Sequence, residues 1–191
     1  MVRRLPLRRV VHFLGLIVFA ISMNSFAEQA PDSVKSIVPQ LQSWGSDPQL
    51  VAAVKAQNAE NLSLDTIKDR DEKWRKSSDI SALMKALMTN NAAKRLIELE
   101  KSKPYLVELF LMDNQGANVA MSNRTSDYWQ GDEEKFTQSY QQGQGHVYVS
   151  KVEYDESTQA YLVQVSVPVI DQGKAIGALT IGINLDNLEG M

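Results

Sequence analysis

Cysteine is absent from this chain, and with it thiol catalysis, thiolate metal sites and disulfide staples. Histidine is almost absent: beyond position 12 only His146 remains, so one chain cannot assemble a multi-histidine metal centre. No Gly-x-Ser-x-Gly elbow and no cluster of metal-ligating residues occurs, which leaves no catalytic constellation and no implied cofactor. The sequence therefore predicts a protein that is not an enzyme. A basic stripe is missing as well, which argues against nucleic acid or an anionic membrane surface as partner. Past residue 27 no apolar run approaches the roughly 20 residues of a membrane span.

The first 27 residues set the compartment. Arg3, Arg4, Arg8 and Arg9 form a basic region, Val10 to Ile21 is apolar, and Ser25 and Ala27 place small residues at the −3 and −1 positions of a cleavage site. This reads as a secretory signal peptide at 1–27, cut after Ala27. The alternative is an uncleaved anchor, but the apolar run falls well short of the roughly 20 residues a span needs. VVHF after the arginines fits the twin-arginine route poorly, so Sec export to the periplasm is expected. Removing the four leader arginines from the 20 basic residues leaves 16 against 23 acidic ones, a net charge of −7. The 164 residues left of 191 are enough for one domain with an ordinary core.

The mature chain divides near Pro104 into a helical part (28–104) and a sheet part (105–191). Asp47-Pro48 caps and opens a helix over Gln49 to Ala59, and Gly45 ends a shorter one before it. Ser63 caps a segment in which Leu64, Ile67, Asp71 and Trp74 fall at helical spacing. Asp79 is expected to cap the next helix, through Ile80, Leu83, Met84, Leu87 and Met88. Asn90 and Asn91 break that pattern before Ala92 to Glu100 resumes it, and Pro104 forbids continuation. From Tyr105 the residues alternate. Strands are expected over Tyr105 to Met112 and Ala117 to Ser122, joined by the turn Asp113-Asn114-Gln115-Gly116. A third runs from Val147 to Asp155, a fourth carries Tyr161 to Val167 after the turn Asp155 to Thr158, and a fifth carries Leu179 to Leu185 after Asp171-Gln172-Gly173. The short turns require antiparallel pairing. The only long gap, between strands 2 and 3, holds SNRTSDYWQGDEEKF, with Asp132 as the N-cap of a short helix to Tyr140. The fold class is α+β, an antiparallel sheet with a helical segment packed on it.

This pattern resembles the Cache family of extracytoplasmic sensor domains, also called PDC domains, which are PAS-like. The segments that carry the likeness are FLMDNQGANVAMS, TSDYWQGDEEKF and VSVPVIDQGKAIGALTIGINLDNL. The resemblance implies a PAS-like five-stranded sheet and a pocket between the sheet and the strand 2–3 connection. It implies a small organic acid or amino-acid ligand, and a homodimer through the N-terminal helices. It also implies a role in signal transduction such as chemotaxis, with a membrane-bound chemoreceptor, histidine kinase or diguanylate cyclase as partner. The alternative is a protein-interaction module that docks to a receptor without a small ligand.

Five residues are candidate ligand contacts. Arg124 offers the planar bidentate fork that suits a carboxylate, against the plainer reading of a surface pair with Asp127 or Asp132. Tyr128 and Trp129 are adjacent, so in extended chain they face opposite ways, one toward the pocket or sheet and one toward a helix. Both also serve as anchors pinning the connection to the core. Tyr148 faces away from Val147, Val149 and Lys151 on strand 3. Trp74, one aromatic in the charged stretch KDRDEKWRK, marks a buried stripe or a ligand contact.

Overall fold

A computed structural model describes residues 29–155 and 159–190. The expected leader at 1–27 and part of the turn at 155–158 lie outside the described residues. Helices α1 (Asp32–Ser43), α2 (Pro48–Ala59), α3 (Leu64–Lys76), α4 (Ala82–Thr89) and α5 (Asn91–Glu100) precede the sheet. Strands β1 (Leu106–Met112), β2 (Asn118–Met121), β3 (Tyr148–Val149), β4 (Glu153–Asp155), β5 (Ala160–Asp171) and β6 (Lys174–Asn184) form it, with α6 (Glu134–Tyr140) between β2 and β3 and α7 (Leu185–Glu189) at the end. The strands lie in the order β2-β1-β6-β5-β3, β4 also pairs with β5, and every pairing is antiparallel. This is the α+β, PAS-like arrangement.

Local chemistry explains most element boundaries. Asp47 Oδ1 accepts from Gln49 N at 2.9 Å, Ser63 Oγ from Thr66 N at 3.2 Å and Asn90 Oδ1 from Ala93 N at 2.8 Å, so each of α2, α3 and α5 has an orphan first-turn donor satisfied by its cap. The β5–β6 hairpin turns on Gln172 and Gly173, both at positive φ (49° and 79°), as a two-residue type I′ turn demands.

Four expectations are corrected. Ser81, not Asp79, caps α4: its hydroxyl accepts from Met84 N at 3.2 Å, and Ile80 is left outside the helix and exposed. Glu133, not Asp132, precedes α6, and neither caps it through a side chain. The third strand is split into β3 and β4, giving six strands instead of five. The break occurs because Ser150 Oγ accepts from Gln164 N at 2.9 Å, taking the place of a ladder carbonyl. Leu185 opens α7 and does not extend β6, because Asn184 caps the turn through Asn187 N at 2.9 Å.

The strand alternation sorts two unlike faces. Leu109 and Leu111 of β1, Val163, Val165, Val167 and Val169 of β5, and Leu179, Ile181 and Ile183 of β6 join one core with Val34 of α1, Leu50 and Val54 of α2, and Leu96 of α5. Full burial of each such side chain contributes roughly 1.5–3 kcal/mol, so this aliphatic face anchors the fold. The opposite face carries Phe110 and Met112, but also Gln164, Ser166 and Thr180, whose hydroxyls bond each other at 2.8 Å. That second face is covered by the β2–β3 connection, α6 and α3, whose Ile67 and Trp74 pack with Phe110, Met121, Tyr128 and Phe136. Polar groups are therefore concentrated where the cover is thinnest in helices and richest in loop. Among the described residues no helix is long and apolar enough to cross a membrane.

Candidate functional site

The connection is bound to α3 through one buried carboxylate. Asp71 is 6% exposed; its Oδ1 accepts from Tyr128 N at 2.9 Å and Trp129 N at 3.1 Å, while Arg75 Nε reaches its Oδ2 at 2.9 Å. Two successive backbone donors that would otherwise be orphaned are thus satisfied by a single side chain. Trp74 Nε1 donates to Thr125 O at 2.9 Å, fastening the same two segments. Toward the hairpin, Trp129 Nε1 donates to Gln115 O at 2.8 Å, and Gln130 N donates to Gly116 O at 2.8 Å. This contact requires two glycines back to back: a Cβ on Gly116 would lie 2.4 Å from Gly131 Cα, and one on Gly131 would lie 2.3 Å from Trp129 Nε1.

The framework leaves two clefts that meet along Asp132 and Glu133, which line both. The first, about 580 Å³, lies between α3 and the connection, with Lys68, Asp69, Glu72, Arg75, Asp127 and Trp129 in its walls. The second, about 430 Å³, lies between the start of α6 and the sheet, against Glu134, Lys135, Tyr148, Ser150, Glu153 and Gln164. Trp129 carries the Lys68 ammonium 4.8 Å from its ring centroid, and Lys135 Nζ stands 5.4 Å from the centroid of Phe110. The Tyr148 hydroxyl donates to Glu134 Oε2 at 2.8 Å; burial, then this carboxylate, push its pKa up to about 12. Burial likewise raises the Tyr128 phenol, against the opposing pull of Arg70. Behind the hairpin, burial raises the pKa of Asp113, opposed by hydrogen bonds from Gln57 and from the backbone N–H groups of its turn.

The five candidate contacts are distributed unequally over this trough. Trp129 lines the first cleft and Tyr148 the second. Tyr128 and Trp74 are buried at 1% and 2% and pack with their ring centroids 5.8 Å apart and their planes tilted by 37°, forming the frame under the first cleft. The two adjacent rings diverge as extended chain requires, Tyr128 inward and Trp129 toward Lys68 of α3. Arg124 lines neither cleft. Its Nη2 donates to Ser77 O at 2.8 Å and Trp74 O at 3.4 Å, carbonyls at the C-terminal end of α3, where a cation also complements the helix dipole. The pairing with Asp127 or Asp132 is not formed either: Asp127 Oδ1 lies 3.6 Å from Arg75 Nε.

Sequence reading missed Asp71, Lys68, Asp132, Glu133 and Glu134 as site residues. Asp71 falls on the apolar stripe with Ile67 and Trp74, and an acid at a buried helical position was the available signal. The other four sit in charged stretches that read equally well as solvated surface. Among the described residues, no group of three or more His, Asp or Glu side chains is placed to hold a metal ion.

Comparison with known proteins follows the same geometry. The family model described as "Methyl-accepting chemotaxis protein-like, first PDC sensor domain" matches residues 80–190. The sensory domain of the Campylobacter jejuni chemoreceptor Tlp3 (CcmL) shares 15% identity over 83% of this chain and 65% of its own, with a TM-score of 0.43. The Vibrio cholerae histidine kinase DctB sensor domain gives 16% identity, 82% and 59% coverage and a TM-score of 0.37. The ligand-binding domain of the Pseudomonas aeruginosa PAO1 amino acid chemoreceptor PctC, in complex with GABA, gives 11% identity, 82% and 60% coverage and 0.38. The chain spans less than two thirds of the length of these structures. No curated protein matches it in sequence. With more than half of its residues matched by one family model, on an α+β fold of the expected topology, the chain belongs to the PDC sensor domains of the methyl-accepting chemotaxis protein-like family.

Proposed function

We propose that this chain is an extracytoplasmic sensor module that binds a small amino acid in the two-lobed trough and reports its occupancy through a membrane-bound partner. A chemoreceptor, a histidine kinase or a diguanylate cyclase would serve as that partner. The observation that carries the reading is a trough of both charge signs walled by Trp129 and Tyr148 on a rigid frame. A zwitterion presents an ammonium to the carboxylates and a carboxylate to Lys68, whereas a plain organic acid uses only the minority charge. Trp129 and Tyr148 are the contacts we assign; Tyr128 and Trp74 hold the wall, and Arg124 fixes the end of α3. The leader ending at Ala27 would deliver the domain to the periplasm.

A thermal-shift screen of amino acids and C2 to C5 carboxylates tests this. Ligand at 100 times its dissociation constant adds about 2.7 kcal/mol, which raises the melting temperature of a chain of this length by roughly 5–10 °C. Silence across the panel, together with a stable complex recovered from membranes, would instead favour a protein-interaction module without a small ligand.

A further inference from the structure

The trough lies on one face of the sheet and α2 on the other, packed through Leu50 and Val54, and no residue of α2 lines either cleft. A hydrogen-bonded path nevertheless joins the two around the end of the sheet, through the β1–β2 turn. Its significance rests on the reading of the trough as the ligand site.

Trp129 is held in two ways. Asp71 of α3 fixes its backbone, whereas its ring is oriented by the single indole donor, which reaches Gln115 O at 2.8 Å. Gln115 is itself tied back: its Nε2 donates to Leu62 O, just past α2, at 2.8 Å, and its N donates to Asp113 Oδ1 at 2.8 Å. Asn114 N donates to Asn58 Oδ1 of α2 at 3.0 Å, and Asn58 Nδ2 donates to Ile176 O of β6 at 2.8 Å. The turn that orients the indole is therefore set by the last residues of α2.

Residue types at two positions carry the argument further. A turn of this kind needs one side-chain oxygen, which asparagine would supply; Asp113 Oδ1 fills that need by accepting from Gln115 N and Ala117 N. The second oxygen of Asp113, a carboxylate only 3% exposed, goes to α2, accepting from Gln57 Nε2 at 2.9 Å. Gln57 Nε2 also faces Ala117 O at 3.4 Å and Asn118 O at 3.3 Å. Three acceptors thus converge on one NH2 group, and a rotated amide would turn its own oxygen against all of them. Ala117 pairs with Trp129 across an antiparallel bridge, and Asn118 N donates to Tyr128 O at 2.9 Å. A displacement of the Trp129 wall is passed through these bonds to the end of α2.

We propose that Asp113 and Gln57 are positioning residues for the Trp129 wall, and that α2 is the element in which occupancy of the trough registers on the far face of the sheet. By linkage, a change in α2 that alters ligand affinity requires that the ligand alter α2 in return.

Nitrogen–proton correlation spectra of the mature protein decide the matter, recorded alone and with each of the twenty standard amino acids. Without an added amino acid, Gln57→Ala should shift the Trp129 indole signal and leave those of Trp74 and Trp44 in place. Asp113→Asn keeps an oxygen for the turn and sets an NH2 group against Gln57 Nε2, so it should shift the same signal. Lys55→Ala, on the same helix, removes an exposed bridge to Asp171 and should leave the indole unmoved. In titration calorimetry Gln57→Ala should weaken binding of the amino acid that the wild type takes up by about two- to fivefold, within the worth of one hydrogen bond. Lys55→Ala should leave that affinity unchanged. In the wild type the Gln57 side-chain amide signals should follow the titration with the same midpoint as the Trp129 indole. An indole unmoved by both Gln57→Ala and Asp113→Asn, or moved equally by Lys55→Ala, overturns the inference whatever the protein binds. Gln57 signals that stay in place while the Trp129 indole saturates overturn the assignment to α2. An indole that moves as expected in a protein that binds no amino acid upholds the positioning role and overturns the proposed function instead.

Discussion

Replacement of Asp71 separates two things that its carboxylate does. Asp71→Ala leaves the buried Tyr128 N and the half-buried Trp129 N without their acceptor. An unsatisfied buried donor costs about 1–3 kcal/mol, and water reaches Trp129 more readily, so the total should be about 3 kcal/mol. Asp71→Asn keeps an oxygen at the same place and removes only the charged partner of Arg75, which is 57% exposed. Such a pair is worth at most about 1 kcal/mol. For a chain of this length, each kcal/mol moves the melting temperature by about 2–4 °C. The alanine variant should therefore melt roughly 6–12 °C lower and the asparagine variant no more than about 4 °C lower. Urea unfolding followed by circular dichroism gives the global loss, and hydrogen exchange at the Tyr128 and Trp129 amides shows whether the connection opens locally. Equal destabilisation by both substitutions would refute the reasoning, since the charge and not the acceptor would then hold the connection.

Three further outcomes follow from the same geometry. Gly131→Ala places a Cβ 2.3 Å from Trp129 Nε1 and 2.5 Å from Gln115 O, so it should displace the indole. Ligand affinity should fall at least tenfold, read by titration calorimetry, with altered tryptophan emission in the free protein. Arg124→Ala removes a carbonyl contact at the end of α3 and should cost about 0.5–1 kcal/mol in urea unfolding. Its ligand affinity should change less than threefold; a tenfold loss would return Arg124 to the binding site. Tyr148 has a folded pKa of about 12, above its unfolded value near 10. The protonated phenol therefore adds stability that is fully present below pH about 10 and is lost as pH rises toward about 12. Tyr148→Phe should flatten that part of the stability profile and remove the highest-pH tyrosinate step in ultraviolet absorbance.

Local signals made much of the fold legible. Asp47, Ser63 and Asn90 announce helix starts because their short polar side chains reach N–H groups two or three residues on, a geometry contained in the sequence itself. Asp113 to Gly116 announces a hairpin for the same reason, with Asp113 Oδ1 accepting from Gln115 N and Ala117 N, and Gln172-Gly173 announces one through the positive φ its turn needs. What stayed hidden depends on distant partners. Ser150 breaks the third strand by accepting from Gln164 fourteen residues away, and Ser81 displaces Asp79 as a cap within a run of four equally plausible capping side chains. Trp129 and Tyr148 were legible as aromatics in or beside the one long gap. The true partners of Arg124, Ser77 O and Trp74 O, were not, because backbone carbonyls of a remote helix end leave no mark in a sequence. The acids of the trough were likewise visible only as charge, and their convergence on one space depends on how α3, the connection and α6 are folded together.

The central claim is that a small ligand occupies the trough beside Trp129. The chain has three tryptophans, whose indole N–H groups give three separate signals in a nitrogen–proton correlation spectrum. Trp129 walls the first cleft, Trp74 lies buried behind it, and Trp44 packs against the aliphatic core on the other face of the sheet. Titration with the best-binding compound should shift the Trp129 indole saturably, move Trp74 less and leave Trp44 in place. Saturable binding that shifts Trp44 and leaves Trp129 unmoved would contradict the account.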